Sequence, residues 1–222
     1  MNKSELDEYL DLVAIGSSAD IVPLIDENRI LVRHGLDMIN YNPRYGVKAL
    51  LESTGLDKRD ITFGLIDFVI APRINAVGRM GDAGRAVKLL VARSLQQGLI
   101  AAKELERENK LRRTVDENTF KEAVEIVESK LQPDDDSCIV LYKKDWHPGV
   151  IGIVASRIVE KYYRPAIMIS VVNGIGKGSA RSIQGFNIYE AIKGCDEYLE
   201  AFGGHKYAAG LTIKEENIPA FI

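Results

Sequence analysis

Up to about residue 130 the apolar positions recur at helical spacing; beyond about 135 they gather into short runs separated by loops. Leu6, Leu10, Val13 and Ala14 predict a helix over residues 5–15. Small residues from Gly16 then lead to Asp20 and Pro23, which places Asp20 at a turn. Asp26 to Arg29 opens a second helix with Ile30, Leu31, Leu36 and Ile39 as its apolar face, stopped by Asn40-Tyr41-Asn42-Pro43. Val47, Leu50 and Leu51 predict a short helix ending near Gly55, and Ile61, Leu65, Phe68 and Val69 another over 58–70. The stretch from Ala71 to Ala83, broken by Pro72, Gly78 and Gly81, reads as a loop carrying Arg73, Asn75 and Arg79. From Asp82 to Leu131 there is no proline, which predicts one long helix or two broken near Arg93-Ser94, with Ser94 as N-cap. The second piece would run ~37 residues, or ~55 Å at the helical rise, more than a small domain needs, so it is expected to bridge two lobes. Its charged segment Glu104–Arg113 reads as a solvated face with i,i+4 pairs.

The second half has an α/β pattern. After a loop at Gln132–Ser137, Cys138–Tyr142 predicts a buried strand and Trp146–Gly149 a loop. Val150–Tyr163 predicts a helix, Ala166–Val172 a strand and Lys177–Ser182 a polar strand. A helix from Asn187 to about Ala201, a strand over Lys206–Ile213 entered through Gly203-Gly204, and a helix from Glu216 complete the pattern.

Composition removes several classes. In 222 residues, 46% are hydrophobic, enough for a core and too many for a disordered chain. The net charge of −3 neither favours nor opposes nucleic acid, because a local basic groove can sit on an acidic whole. Cys138 and Cys195 show no metal-ligand spacing, and free thiols in a reducing cytoplasm are the simplest expectation. The polar start is unlike a signal peptide, and no apolar run is long enough for a membrane span.

Four polar clusters fall at element ends: Arg73/Asn75/Arg79, Trp146/His147/Arg157, Lys177/Ser179/Arg181 and Gly203/Gly204/His205. Strand-end loops are where α/β sheets bind ligands, and these groups are cationic or hydrogen-bond donors suited to phosphate oxygens. Each also has a plainer reading. An arginine can clamp a helix end or an acid, Asp20 can cap a helix, and Trp146 can pack rather than stack on a base. The stretch Phe202-Gly203-Gly204-His205-Lys206-Tyr207-Ala208-Ala209-Gly210 fits either an anion-binding concavity of backbone N–H groups or a tight turn from helix to strand. Asp20 is the candidate hard-metal ligand, and one carboxylate does not hold a catalytic metal.

Six ordered stretches carry a resemblance: Leu10–Gly16 with Ala19-Asp20-Ile21-Val22-Pro23-Leu24; Glu27-Asn28-Arg29; Ala71-Pro72-Arg73-Ile74-Asn75-Ala76 with Gly78-Arg79; Trp146–Arg157; Gly178-Ser179-Ala180-Arg181-Ser182; and Gly203-Gly204-His205 with Ala208-Ala209-Gly210. Together they resemble the RecJ family of single-strand-specific exonucleases in the DHH phosphoesterase superfamily. The resemblance implies an α/β chain in three parts: the C-terminal part of a DHH catalytic domain at 1–45, a helical connector with a long interdomain helix at 46–134, and a DHH-associated nucleic-acid-binding domain at 135–222 with a mixed sheet flanked by helices. It implies metal-dependent 5′-to-3′ hydrolysis of phosphodiester bonds in single-stranded DNA, in repair and recombination, with manganese or magnesium as cofactor. It implies single-stranded DNA as partner, a single-strand-binding protein or a helicase as candidate companions, a monomer, and no membrane.

Residue by residue, Asp20 matches the family's last metal-binding aspartate, with Asp11 a weaker candidate. Ser179 and Arg181 match positions that hold a phosphate of the strand end. Gly203, Gly204 and His205 match a nucleotide-binding loop, and Arg73, Asn75, Arg79, His147 and Arg157 match further strand contacts. The Asp-His-His motif is absent, since His34, His147 and His205 each stand alone. The resemblance therefore implies a chain cut within the catalytic domain, inactive alone, that supplies mainly the strand-binding lobe. The alternatives are a non-catalytic nucleic-acid-binding module and a DHH phosphodiesterase of short oligonucleotides or cyclic dinucleotides.

Overall fold

The computed structural model describes residues 6–130 and 137–222. The loop predicted at 132–136 lies outside the described residues. The chain forms two compact units, 1–112 and 113–222. The division falls inside the long predicted helix.

The first unit is helical: α1 (Leu10–Ala19), α2 (Asp26–Tyr41), α3 (Tyr45–Thr54), α4 (Ala71–Met80), α5 (Gly84–Leu90) and the first half of α6 (Leu95–Lys130). A Cβ on Gly35 would run into the Leu10 carbonyl, so α2 crosses α1 backbone to backbone. Gly55, at φ 69°, ends α3 in the left-handed conformation that glycine adopts at no steric cost. Ser94 caps α6, its Oγ accepting the Gln97 N–H at 3.3 Å, as expected. The core is aliphatic, with Ile39, Leu50, Ile66, Ile70, Leu89 and Leu105 fully buried.

The predicted loop at 71–83 is a correction. A short helical turn at Phe63–Leu65 widens into a π-helical turn at Ile66–Ile70, which runs straight into α4 with Pro72 in its first turn. Proline has no N–H to give the preceding turn, and it is tolerated at a helix start. The wide turn carries the chain past it, so Arg73, Asn75 and Arg79 lie on a helix.

Asp11 is also explained here. Its carboxylate is 1% exposed and accepts two bonds from Arg44, at 2.5 Å from Nε and 2.6 Å from Nη2. Removing one partner of such a pair strands a buried charge. Arg44→Ala is expected to lower the stability of the first unit by about 3 kcal/mol in urea unfolding, with only part recovered in Arg44→Lys, which lacks the fork. An unchanged midpoint would show that the pair adds no net stability.

The second unit holds β1 (Ile139–Lys144), α7 (Ile151–Tyr162), β2 (Ala166–Val172), β3 (Ile175–Arg181), α8 (Ile188–Lys193), β4 (Leu199–His205), β5 (Ala208–Lys214) and α9 (Ile218–Phe221). The five strands lie in the order β1-β2-β3-β5-β4, with β1 parallel to β2 and the other pairs antiparallel. The mixed sheet flanked by helices matches the expected fold class. One face buries Ile167, Ile169, Val171, Ala180, Leu211 and Ile213 against Ile188, Ile192 and Ile218. On the other face α7 packs on β2 and β3.

A second correction concerns residues 194–205. The Asn187 side chain caps α8 as expected, accepting from the Glu190 N–H at 3.3 Å, but α8 stops at Lys193. A 3-10 turn at Asp196–Tyr198 follows, and Leu199–His205 is a fifth strand. Leu199 and Phe202 pack on the core, a pairing that helical spacing serves equally well. Cys138 and Cys195 form no disulfide, and burial pushes the Cys138 thiol up to about 11, so it is not a nucleophile near neutral pH.

Candidate nucleic-acid interface

Strand register brings residues of two predicted clusters into rows on the face that α7 partly covers. Arg181 pairs with Ala208, which pairs with His205; Ser179 pairs with Gly210, which pairs with Gly203; Lys177 pairs with Thr212, which pairs with Ala201. Side chains two apart on a strand share a face, so Lys177, Ser179, Arg181, Gly203 and His205 all project to this side. His205 lies two strands from Arg181, about 10 Å at normal strand spacing.

The centre of the face is the meeting of β3 with the start of α7. Arg181 donates from Nη1 to Ser179 Oγ at 3.1 Å and to the Ala180 carbonyl at 2.8 Å. Gly152, second residue of α7, lies against both side chains. A Cβ there would stand 2.9 Å from Ser179 Oγ and 3.1 Å from Arg181 Nη2. Only glycine lets the helix start approach so closely. Sequence reasoning missed Gly152; the available signal was a poor helix former in the first turn of a predicted helix.

The glycine pair is neither the predicted nest nor a turn. Gly203 and Gly204 lie in β4, and the chain reverses at Lys206-Tyr207 between His205 and Ala208. The two glycines serve different ends. Gly203 lies under open space, with no atom within 4 Å of a Cβ placed on it. Gly204, at φ 149°, would drive a Cβ to 2.5 Å from the Ala209 Cα, so strand packing accounts for its missing side chain. His205 is exposed and its Nδ1 accepts the Tyr207 N–H at 3.3 Å.

The Trp146–Arg157 cluster has another role. Trp146 is 3% exposed, its indole N–H donates to Glu122 at 2.9 Å, and its carbonyl accepts from Ser170 Oγ at 2.5 Å. It packs in its unit, the plainer of its two readings. Lys143, then Trp146, hold the Glu122 carboxyl below the usual glutamate range by donating to it. His147 organises the entry to α7: its Nδ1 accepts the Gly149 N–H at 3.1 Å and its carbonyl accepts the N–H groups of Val150 and Ile151. Arg157, predicted as a phosphate contact, is paired with acids in this structure. Its guanidinium lies 3.8 Å above the Phe120 ring and pairs with Asp116 at 3.3 Å and Glu117 at 3.2 Å. Those acids already neutralise it.

The remaining predicted residues belong to the first unit. Arg73 pairs with Glu106 at 2.6 Å and donates to the Val69 carbonyl at 2.7 Å, the clamping role an arginine on a helix readily takes. Asn75 and Arg79 are exposed on α4. Asp20 is exposed at the C-terminal end of α1, with its N–H bonded to the Gly16 carbonyl. The following Ile21 has φ 55°, a rare conformation for a β-branched residue, so backbone strain sits beside Asp20. Among the described residues no three metal-binding side chains converge, so the residues present do not form a magnesium or manganese site. No described helix is long and apolar enough to cross a membrane.

With the sheet, the Gly152 contact and the open face in place, similarity to known proteins is specific. Residues 135–222 match the DHHA1 domain. Over 215 residues the chain is 44% identical to the single-stranded-DNA-specific exonuclease RecJ of Bacillus subtilis, an alignment covering 96% of this chain and 27% of that protein. The crystal structure of Thermus thermophilus RecJ in complex with Mg2+ superposes with a TM-score of 0.87 at 37% identity, covering 97% of this chain and 33% of that one. The Mn2+ complex from the same organism gives a TM-score of 0.86 at 37% identity, covering 97% and 31%. The chain thus spans 27% to 39% of the length of the first curated relatives it matches. Both the DHHA1 match and the likeness to RecJ agree with the resemblance carried by the six ordered stretches.

Proposed function

We propose that this chain provides the strand-binding part of a RecJ-type exonuclease acting 5′-to-3′ on single-stranded DNA. The 5′-terminal phosphate is held by Ser179, Arg181 and the start of α7, with Gly203 and His205 along the strand beside it. The observation that carries this reading is the Gly152 contact. A guanidinium and a helix N-terminus are both positive, so their close approach is unfavourable alone and favourable around an anion. The Ser179 hydroxyl adds a donor between them. The exposed face beyond, with Gly203 and Gly210 open above, leaves a path for the rest of the strand.

The Mg2+ and Mn2+ of the RecJ crystal structures support divalent-metal dependence for the reaction. Asp20 can contribute one oxygen ligand of the several such an ion takes. The role proposed for this chain does not run through the metal: it binds and orients the strand. Asn75 and Arg79, exposed on α4, are proposed as further strand contacts of the first unit.

The test is binding of matched single strands, with a 5′-phosphate or a 5′-hydroxyl, followed by fluorescence anisotropy. The chain is expected to favour the phosphorylated strand. Arg181→Ala is expected to weaken that strand about tenfold or more, the scale of a lost bond to a charged group, and the hydroxyl strand much less. Equal loss for both strands would count against a phosphate at Arg181.

A further inference from the structure

Several lysines of the second unit are held by carboxylates. Lys143 pairs with Glu122, Lys144 with Glu215, Lys161 with Glu128 and Lys214 with Glu200, at 2.7 to 3.6 Å. Among the described residues Lys177 has no carboxylate partner. Its ammonium instead donates to Thr212 Oγ1 at 2.9 Å, across the β3–β5 pair. That bond fixes the ammonium over the sheet face and leaves two of its three donors unspent. The Thr212 hydroxyl accepts from Lys177, so its own proton is free to point at a third group.

The pair borders a depression of about 300 Å³ whose lining includes Lys177, Ala201, Phe202, Gly210 and Thr212. The depression lies on the same sheet face as Ser179 and Arg181, and its Gly210 pairs with Ser179. Lys177 is four residues along β3 from Arg181, about 13 Å at the rise of a strand. The Arg181 guanidinium reaches back to Ser179, so the two cationic heads stand two residues apart along the strand, roughly 7 Å, the order of one internucleotide step. A group held at Lys177 and a phosphate held at Arg181 therefore belong to different nucleotides.

We infer that Lys177 and Thr212 form a second phosphate seat, for an internal phosphodiester of the strand whose 5′ end sits at Ser179 and Arg181. The inference rests on the strand-binding reading above. It makes the sheet face a track at least three rows long: strand end at Arg181, backbone over Gly210 and Gly203, internal phosphate at Lys177. An ammonium suits this second seat because it is a point charge that tolerates a backbone arriving at varied angles, whereas the forked guanidinium suits the fixed geometry of a terminal phosphate.

The experiment compares a 5′-mononucleotide, which has no internal phosphate, with a 5′-phosphorylated oligothymidine, each titrated against the 222-residue chain over a range of salt. Lys177→Ala is expected to leave mononucleotide affinity unchanged and to weaken the long strand. The log affinity of that strand should fall with log salt less steeply by ~0.7, the increment for one phosphate contact on a single strand. Lys177→Arg should keep the steep slope, and Thr212→Val should lose part of the long-strand affinity. A long-strand slope unchanged in Lys177→Ala would overturn the seat. Equal loss for both ligands would overturn it too, because it would place Lys177 at the strand end. If Arg181→Ala also spares the 5′-phosphate preference, the strand-end reading fails; if Arg181 behaves as expected and Lys177 does not, only the second seat fails.

Discussion

Trp146→Ala is expected to destabilise the second unit by about 3–5 kcal/mol, the range for truncating a buried aromatic side chain. The indole is nearly inaccessible, at 3%, and truncation would also free the Glu122 carboxylate it donates to. The loop it anchors leads into α7, so denaturant unfolding should show the loss in the transition of this unit. Trp146→Phe should cost less, keeping one aromatic ring while losing the donor and part of the buried volume. Reduced DNA binding with unchanged stability would instead restore the base-stacking reading. Glu122 adds a pH signature. Its folded carboxyl titrates below the ordinary glutamate value because Lys143 and Trp146 favour the charged form. Its contribution is complete above the unfolded value and is lost as pH falls through the depressed one. Trp146→Phe should therefore flatten part of the acid limb of the stability profile.

Gly152→Ala is expected to separate binding from folding. Alanine is the better helix former by up to about 1 kcal/mol, so stability should hold or rise. The added methyl would press on Ser179 Oγ, 2.9 Å away, and on the Arg181 guanidinium at 3.1 Å. Both atoms are side-chain ends and can turn away, which relieves the contact but takes the hydroxyl and the guanidinium out of their present positions. Affinity for 5′-phosphorylated strands should fall about tenfold, equivalent to one charge-assisted hydrogen bond. Anisotropy and thermal unfolding on the same sample make the comparison. A variant that binds as tightly as the parent would place the phosphate elsewhere than between α7 and β3.

Much of the architecture is legible in the sequence because its signals are local. The cap at Ser94, the left-handed Gly55 and the apolar run of β2 each depend on residues within a few positions. The differences arise where a feature outside the local pattern decides. Pro72 reads as a helix breaker from sequence, and the π-helical turn before it removes the clash. Leu199–His205 is a strand because β5 pairs with it, which helical spacing in that segment cannot reveal. The site divides in the same way. Ser179, Arg181 and His205 stand out by residue type and order, and the register of three strands places them on one face. Arg157 and Arg73 differ from expectation because their counter-ions, Asp116, Glu117 and Glu106, are 33 to 41 positions away in sequence. Spacing cannot show whether an arginine's charge is already answered.

The long helix carries a consequence for how this protein can be taken apart. Asp116, Glu117, Glu122 and Glu128 of α6 meet Arg157, Trp146 and Lys161 of the second unit. The recognisable DHHA1 module begins only at residue 135. A segment excised at that boundary would leave behind every one of these acids. Its Trp146 would lose its acceptor and its Arg157 would float above a missing ring. The part of this chain that the family shares by sequence is therefore shorter than the set of residues that hold one another in its second unit.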